Sequence, residues 1–148
     1  MAEKSLMARA VELLSRREYS RRELFTRLKP HAADPDEIEA VLAELAERHW
    51  QSDERYAQAL AQSKQGRWGS TRLAQALRSK GVDRDTIAQA LDGVDDLDAC
   101  RGLWQKKFGE PPADAQEKAK QMRFLAARGF PADVVRKVLA EAGHSRDD

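Results

Sequence analysis

The side chains with the clearest capacity for chemistry are basic residues clustered around a tryptophan. Within residues 63–80, five basic side chains and no acid accompany Trp68. These are Lys64, Arg67, Arg72, Arg78 and Lys80. Such a cluster can contact phosphate groups while the aromatic ring stacks on a base or packs. The pattern favours a polyanion or an acidic protein as partner. The alternative is a solvated helix face, with Trp68 packed like Tyr19 at the aligned position.

Two further basic segments extend this pattern along the chain. Their candidate contact residues are Arg21, Arg22, Lys118, Lys120 and Arg123. Residues 1–29 carry eight basic and four acidic side chains, a net +4, and residues 101–130 carry seven against three, again +4. The blocks between the basic segments are acidic, although the whole chain has a net charge of only +1. Because charges act over a Debye length of about 8–10 Å, these local blocks matter more than the total.

The other reactive residue types lack the spacing that catalysis or metal binding requires. They are His31, His49, His144 and the single cysteine, Cys100. Acidic pairs such as Asp53-Glu54 and Asp95-Asp96 are better explained as helix caps than as acid–base pairs. The segment GRWGS does not match a phosphate-binding loop. We therefore predict no catalytic residue, no metal site and no cofactor, and we expect Cys100 to be a small core residue.

The elements that must position these residues come from a segment that occurs three times. Trp68–Leu91 has the apolar spacing of a short helix, a stop at Gly81 and a second short helix. Related segments are Tyr19–Leu42 and Gln116–Leu139. The aligned apolar anchors are Leu28, Leu77 and Leu125, then Ile38, Ile87 and Val135, then Leu42, Leu91 and Leu139. The offsets of 77 − 28 = 49 and 125 − 77 = 48 residues indicate tandem modules.

The repeat predicts an all-α fold of about nine helices in three tandem three-helix units. Each unit has the plan of a helix-turn-helix module, and we expect the array to be elongated. The predicted units are residues 1–50, 51–94 and 95–142, followed by a frayed tail at 143–148. The expected helix caps are Ser20, Asp34 and Asp83.

A helix-turn-helix plan also raises the alternative of a transcriptional regulator that reads DNA. A base-reading helix favours Asn, Gln, Ser or Arg near its start. The second helices here begin with DPDEIE, DRDTIA and PADVVR. Acidic first turns are repelled by DNA, which argues against sequence-specific reading. A helical adaptor that contacts no nucleic acid is a third alternative.

Composition places the chain among soluble intracellular proteins. No apolar run approaches the ~20 residues that a membrane-spanning helix needs, and the N-terminal residues lack the apolar core of a signal peptide. A single cysteine allows no internal disulfide, which suits a reducing cytoplasm. We expect a cytoplasmic protein with no membrane partner.

Four stretches in the right order resemble the RecX family, and together they cover about residues 6–140. They are ARAVELLSRREYSRRELFTRL, SDERYAQAL, GRWGSTRLAQALRSKGV, and KKFGEPP followed by EKAKQMRFLAARGFPADVVRKVL. The departures are Pro30-His31-Ala32, where a Lys-Gly turn is usual, and Trp50-Gln51, where the junction is often more aliphatic.

The resemblance implies a bacterial, cytoplasmic, monomeric protein that is not an enzyme. It implies three-helix repeats that bind the filament of the RecA recombinase on single-stranded DNA. Binding would inhibit the ATPase, strand-exchange and coprotease activities of RecA, and so regulate DNA repair, homologous recombination and the SOS response. DNA would be contacted directly or through the filament. The basic residues named above, with Trp68, are the expected contacts.

Overall fold

The computed structural model describes residues 3–147, with side chains described as far as His144. Within that range nine α-helices and no strand are present, which confirms the predicted all-α class of tandem three-helix repeats. The helices are α1 Leu6–Leu14, α2 Arg21–Leu28, α3 Pro35–Glu47, α4 Asp53–Ser63, α5 Ser70–Ser79, α6 Arg84–Leu91, α7 Asp96–Lys107, α8 Ala115–Ala127 and α9 Ala132–Asp147. No helix in the described part of the chain is long and apolar enough to cross a bilayer.

The predicted capping residues start their helices. The Ser20 hydroxyl accepts the Glu23 backbone N–H at 3.1 Å, and the Glu23 carboxylate accepts the Ser20 N–H at 3.0 Å. These two bonds form a capping box at the start of α2. Asp34 caps α3, and the Asp83 carboxylate accepts the N–H of Thr86 at 2.8 Å. The caps satisfy backbone donors that have no partner within their own helix.

In the second and third repeats, a glycine in the left-handed conformation ends the helix that precedes the turn, α5 or α8. Gly81 follows α5 with a φ of +81°, and Gly129 follows α8 with a φ of +91°. After Gly81, the N–H of Val82 donates to the carbonyl of Leu77 at 3.1 Å, which closes α5. The first repeat has no glycine here, and a 3-10 turn at Lys29–His31 ends α2 instead.

The chain divides into two compact units whose boundaries fall within α4, α5 and α6. The first unit comprises the described residues as far as Leu60 together with Leu77–Ala90. The second comprises Ala61–Ala76 together with the residues from Leu91 onward. The middle repeat therefore contributes to both units, and the three predicted repeat boundaries stay a prediction.

Each unit contains an apolar core built on the predicted anchors of the first or the third repeat. The first core consists of Ala10, Tyr19, Leu24, Leu28, Ile38, Leu42 and Leu45. The second consists of Cys100, Trp104, Leu125, Phe130, Val135, Val138 and Leu139. All the predicted anchors are buried except Leu91, which is half-buried. The helical periodicity therefore identified the inward face correctly.

The last helix is longer than predicted. It continues through Asp147, whereas the sequence suggested an end near Ala142 and a frayed tail at 143–148. Residues 143–147 are helical, and residue 148 lies outside the described range. A glycine within a helix costs only about 0.5–1 kcal/mol. Gly143 is therefore too weak a breaker to end a helix that is anchored by buried Val138 and Leu139.

Candidate polyanion-binding surface

In the second unit, Trp68 lies against two of the predicted cations. Its ring centroid is 4.6 Å from Nζ of Lys64 and 4.1 Å from Cζ of Arg72. Both distances are within the range of an attractive cation–π interaction. Trp68 is half-buried, whereas Tyr19 at the aligned position is only 5% exposed. Trp68 is therefore less buried than Tyr19, but the two rings share one role: Cζ of Arg17 and of Arg27 lie 3.6 and 5.8 Å from the Tyr19 centroid.

The other predicted cations of the second unit are exposed. Arg67 donates a hydrogen bond to the carbonyl of Ser63 at 2.5 Å. The exposed cations of α8 are Lys118, Lys120 and Arg123. Among residues 3–144, no member of this unit's predicted set forms an ion pair. Their charges are therefore available to an external anion.

A carboxylate and a turn from other helices hold the start of α5, and hence the segment that carries Trp68. The Asp96 carboxylate, at the first residue of α7, accepts the backbone N–H of Ser70 at 2.8 Å and also bonds its hydroxyl. The N–H of Gly69 donates to the carbonyl of Arg128 at 2.8 Å. These bonds satisfy free donors at the helix N-terminus, where an acidic group is also favoured by the helix dipole.

Glycine is required at two positions of this junction because the backbones approach closely. A Cβ placed on Gly129 would lie 2.2 Å from Cβ and 2.6 Å from the backbone nitrogen of Arg72. A Cβ on Gly69 would lie 2.4 Å from the carbonyl oxygen of Gly129. Contacts this short do not occur between real Cβ atoms and backbone. The turn after α8 therefore fits against the start of α5 only because both positions lack side chains.

The first unit contains a related junction. The Asp53 carboxylate, at the start of α4, accepts the backbone N–H of Arg21 at 2.9 Å. The Ser20 hydroxyl donates to the carbonyl of Lys80 at 2.8 Å. A Cβ on Gly81 would lie 2.8 Å from Cδ of Arg22, so the arginine stem covers this glycine. The start of α2 is therefore held as the start of α5 is held.

These junctions confirm that the acidic pairs contain helix caps and show which helix each of them caps. Asp53 and Asp96 cap neighbouring helices, whereas Ser52 and Asp95 cap the helices that they precede. The N–H of Arg55 donates to the Ser52 hydroxyl at 3.2 Å. Sequence alone could not show that Asp53 caps α2 and that Asp96 caps α5, because the capped residues lie 32 and 26 positions away in the chain.

The predicted cations of the first unit are partly neutralised. Arg21 pairs with Glu39, and Lys80 lies 3.8 Å from the carboxylate of Glu23. Arg22 and Arg78 are exposed. Fewer cations in this unit are therefore free for an external anion than in the second unit.

Glu23 is the central carboxylate of the first junction. Burial opposes its ionisation, but the hydrogen bond from Arg17, the N–H of Ser20 and the charges of Arg17 and Lys80 outweigh this effect and lower its pKa. Arg17 lies 3.0 Å from the carboxylate. Burial, followed by the charge of Glu23, raises the pKa of Tyr56. The ionised carboxylate therefore connects the capping box of α2 to side chains of the junction.

Sequence reasoning missed two cations of the second unit that surround Phe124. Nζ of Lys107 lies 5.3 Å and Cζ of Arg128 lies 5.0 Å from the ring centroid. Phe108 meets the same ring edge-on at 5.4 Å. The spacing of four residues between Phe124 and Arg128 is the signal that was available. Because the backbone of Arg128 also bonds Gly69, this cluster is joined to the segment that holds Trp68.

The described residues contain no group of metal-ligating side chains. Cys100 is buried in the second core, and burial raises the pKa of its thiol to about 11, with the charge of Asp96 acting in the same direction. The thiol is therefore protonated at neutral pH and a poor nucleophile.

Three family models match successive parts of the chain. They describe the first, second and third three-helix domains of RecX and match residues 7–45, 52–91 and 94–139. The matched ranges follow the order of the three repeats and together span most of the chain.

Relatives and solved structures agree with these matches. A protein of Chromobacterium violaceum named regulatory protein RecX is 61% identical over 98% of this chain and 94% of its own length. Regulatory protein RecX of Leptothrix cholodnii is 48% identical over 97% of this chain and 92% of its own length. The crystal structure of RecX from Lactobacillus salivarius superposes with a TM-score of 0.79 at 19% identity, covering 93% of this chain and 94% of that one. The structural likeness supports the fold.

Replacing Gly129 by alanine should destabilise the second junction. The left-handed backbone and the overlap with Arg72 together should lower the free energy of unfolding by about 2–4 kcal/mol. Gly66 is the matched control because its φ is +79° but a Cβ there meets nothing within 4 Å. Gly66→Ala should cost only about 1 kcal/mol. Urea denaturation followed by circular dichroism measures both values, and equal losses would contradict the close-approach argument.

Replacing Glu23 by glutamine should make stability less sensitive to acid. Because the pKa of Glu23 is lowered in the folded state, its contribution is present above its ordinary pKa and is lost as pH falls through the folded-state pKa. The wild-type protein should therefore lose more unfolding free energy than Glu23→Gln between neutral pH and the acid range. Urea denaturation at a series of pH values measures the difference. Parallel curves would show that the Arg17 and Lys80 contacts add no net stability.

Proposed function

The chain belongs to the RecX family of regulatory proteins, and from this premise we propose that it binds the RecA filament on single-stranded DNA. Binding inhibits the ATPase, strand-exchange and coprotease activities of the filament. The protein acts as a non-enzymatic, monomeric regulator of recombination, DNA repair and the SOS response in the cytoplasm.

The unpaired cations of the second unit are the observation that carries this proposal. Lys64 and Arg72 are held against Trp68, and Arg67 is exposed beside them. Lys118, Lys120 and Arg123 add exposed charge on α8. Cations without internal partners can contact phosphates or acidic protein side chains and release counterions from a polyanion. The RecA filament offers both kinds of partner.

The tandem repeats suit a partner that is itself repetitive. Several modest contacts on one chain act together because each bound module raises the effective concentration of the next. In this mechanism the chain spans neighbouring RecA protomers, which blocks filament growth or favours disassembly. The cations of the first unit, Arg21, Arg22, Arg78 and Lys80, contribute to the same contact.

A transcriptional regulator that reads duplex DNA is disfavoured. The starts of α3, α6 and α9 carry acids in their first turns, including Asp36, Asp85 and Asp133. A recognition helix would present this end to base edges. In addition, the glycine turns before α6 and α9 already pack against Arg22 and Arg72 of the preceding repeat.

Charge reversal of exposed cations should weaken inhibition of the RecA ATPase. The variant carries Arg67→Glu, Lys118→Glu and Lys120→Glu, because these side chains are exposed and outside the packed junction. The concentration for half-inhibition should rise roughly tenfold or more, since three attractions become repulsions. The measurement is ATP hydrolysis by RecA on single-stranded DNA as the chain is titrated in.

A second triple variant controls for net charge. It carries Arg48→Glu, Arg136→Glu and Lys137→Glu, which are exposed cations outside the proposed contact set. The control should inhibit as the wild type does. Equal weakening of both variants would contradict a localised surface. No inhibition by the wild type, together with selective duplex binding in a gel-shift assay, would favour the transcriptional regulator.

A further inference from the structure

A cleft in the first unit gathers basic side chains that lie outside the proposed contact set for RecA. It has a volume of about 320 Å³ and lies against α1, α2 and the 3-10 turn. Its charged and polar lining consists of Arg9, Glu12, Arg16, Arg27 and His31. Leu13 and Leu28 supply the apolar part of the wall. The residues come from two neighbouring segments, 9–16 and 27–31, which the packing of α1 against α2 brings together.

The charge balance of this cleft is positive. Three guanidinium groups face one carboxylate, a net +2 from these four side chains. Glu12 is already engaged, because Arg16 donates to it at 3.1 Å and Lys4 forms a further ion pair with it. Arg9 and Arg27 form no ion pair within residues 3–144. No carboxylate therefore neutralises these two arginines, although Cζ of Arg27 lies 5.8 Å from the centroid of the Tyr19 ring.

An unsatisfied nitrogen of Arg9 independently supports an anion in this cleft. The Nε of this side chain is buried and has no hydrogen-bond acceptor among the residues that the structure describes. A buried donor without a partner is costly, and such groups in native proteins call for a specific explanation. Nε itself has almost no accessible surface, so a small shift of the Arg9 side chain toward an oxygen-rich anion in the cleft would supply the missing acceptor.

We propose that this cleft binds a phosphate group through Arg9 and Arg27, with His31 as an additional donor. The planar guanidinium matches the spacing of phosphate oxygens and can donate two parallel hydrogen bonds. A volume of about 320 Å³ is at the small end of the range for ligand sites, which suits a phosphate or pyrophosphate group. The group belongs either to a small phosphorylated molecule or to a nucleic-acid backbone.

Calorimetric titration of the full chain with sodium pyrophosphate tests the site. Arg9→Gln with Arg27→Gln should lower the affinity about tenfold or more, because both unpaired cations are lost. Arg48→Gln with Arg84→Gln is the matched control, since it removes two exposed cations of the same unit outside the cleft. The control should bind pyrophosphate as the wild type does. Unchanged affinity in the cleft variant, or equal loss in both variants, would overturn the proposal.

A gain-of-affinity variant guards against misfolding as the cause of any loss. Glu12 is the one acid of the cleft lining, so Glu12→Gln should bind pyrophosphate several-fold more tightly. Weaker or unchanged binding by Glu12→Gln would count against the site.

Competition between pyrophosphate and a short oligothymidylate distinguishes the two sources of phosphate. Mutual displacement that is lost in the Arg9 and Arg27 variant would identify a nucleic-acid backbone as the ligand. Pyrophosphate binding that the oligonucleotide does not affect would identify a small phosphorylated molecule. Neither outcome depends on RecA, so the site and the proposed filament regulation can fail separately.

Discussion

The architecture depends on a close backbone contact between the turn of one repeat and the start of the second helix of the preceding repeat. In the second unit, Gly129 meets the backbone of Arg72 so closely that any side chain would overlap. Asp96 then supplies the acceptor that the start of α5 lacks. In the first unit Asp53 supplies the equivalent acceptor, whereas Gly81 meets the side-chain stem of Arg22 and not its backbone.

The second junction also shapes the candidate binding surface. It fixes the backbone of Arg72 while the guanidinium of the same residue lies over Trp68. The donors at the start of α5 are used internally by Asp96. The positive surface near this helix therefore comes from side chains and not from the helix N-terminus. A mutation that disturbs the junction should disturb the cations with it, which is why exposed Arg67 is the better probe of binding.

The two units differ in how many of their predicted contact cations form ion pairs. In the first, Arg21 and Lys80 have acidic neighbours in Glu39 and Glu23, and the unpaired cations Arg9 and Arg27 line the cleft beside α1. In the second, the predicted cations lack acidic partners throughout the described residues. The sequence shows the same net charge, +4, for residues 1–29 and for residues 101–130. Only the partners of each cation reveal which charges are available.

The sequence by itself determined the order of the helices, the local caps Ser20, Asp34 and Asp83, and the inward faces. Leu28 and Leu125 identified the two cores, and Gly81 marked a helix end, because these features depend on residues three or four positions apart. The family resemblance likewise follows from local motifs in order.

Only the tertiary structure decided that Asp96 caps α5, a bond between residues 26 positions apart. It also decided that Lys107 joins Phe124 and that Arg9 and Arg27 share a cleft. The physical reason is that such contacts depend on how helices pack, and short-range periodicity does not encode which remote side chains will meet.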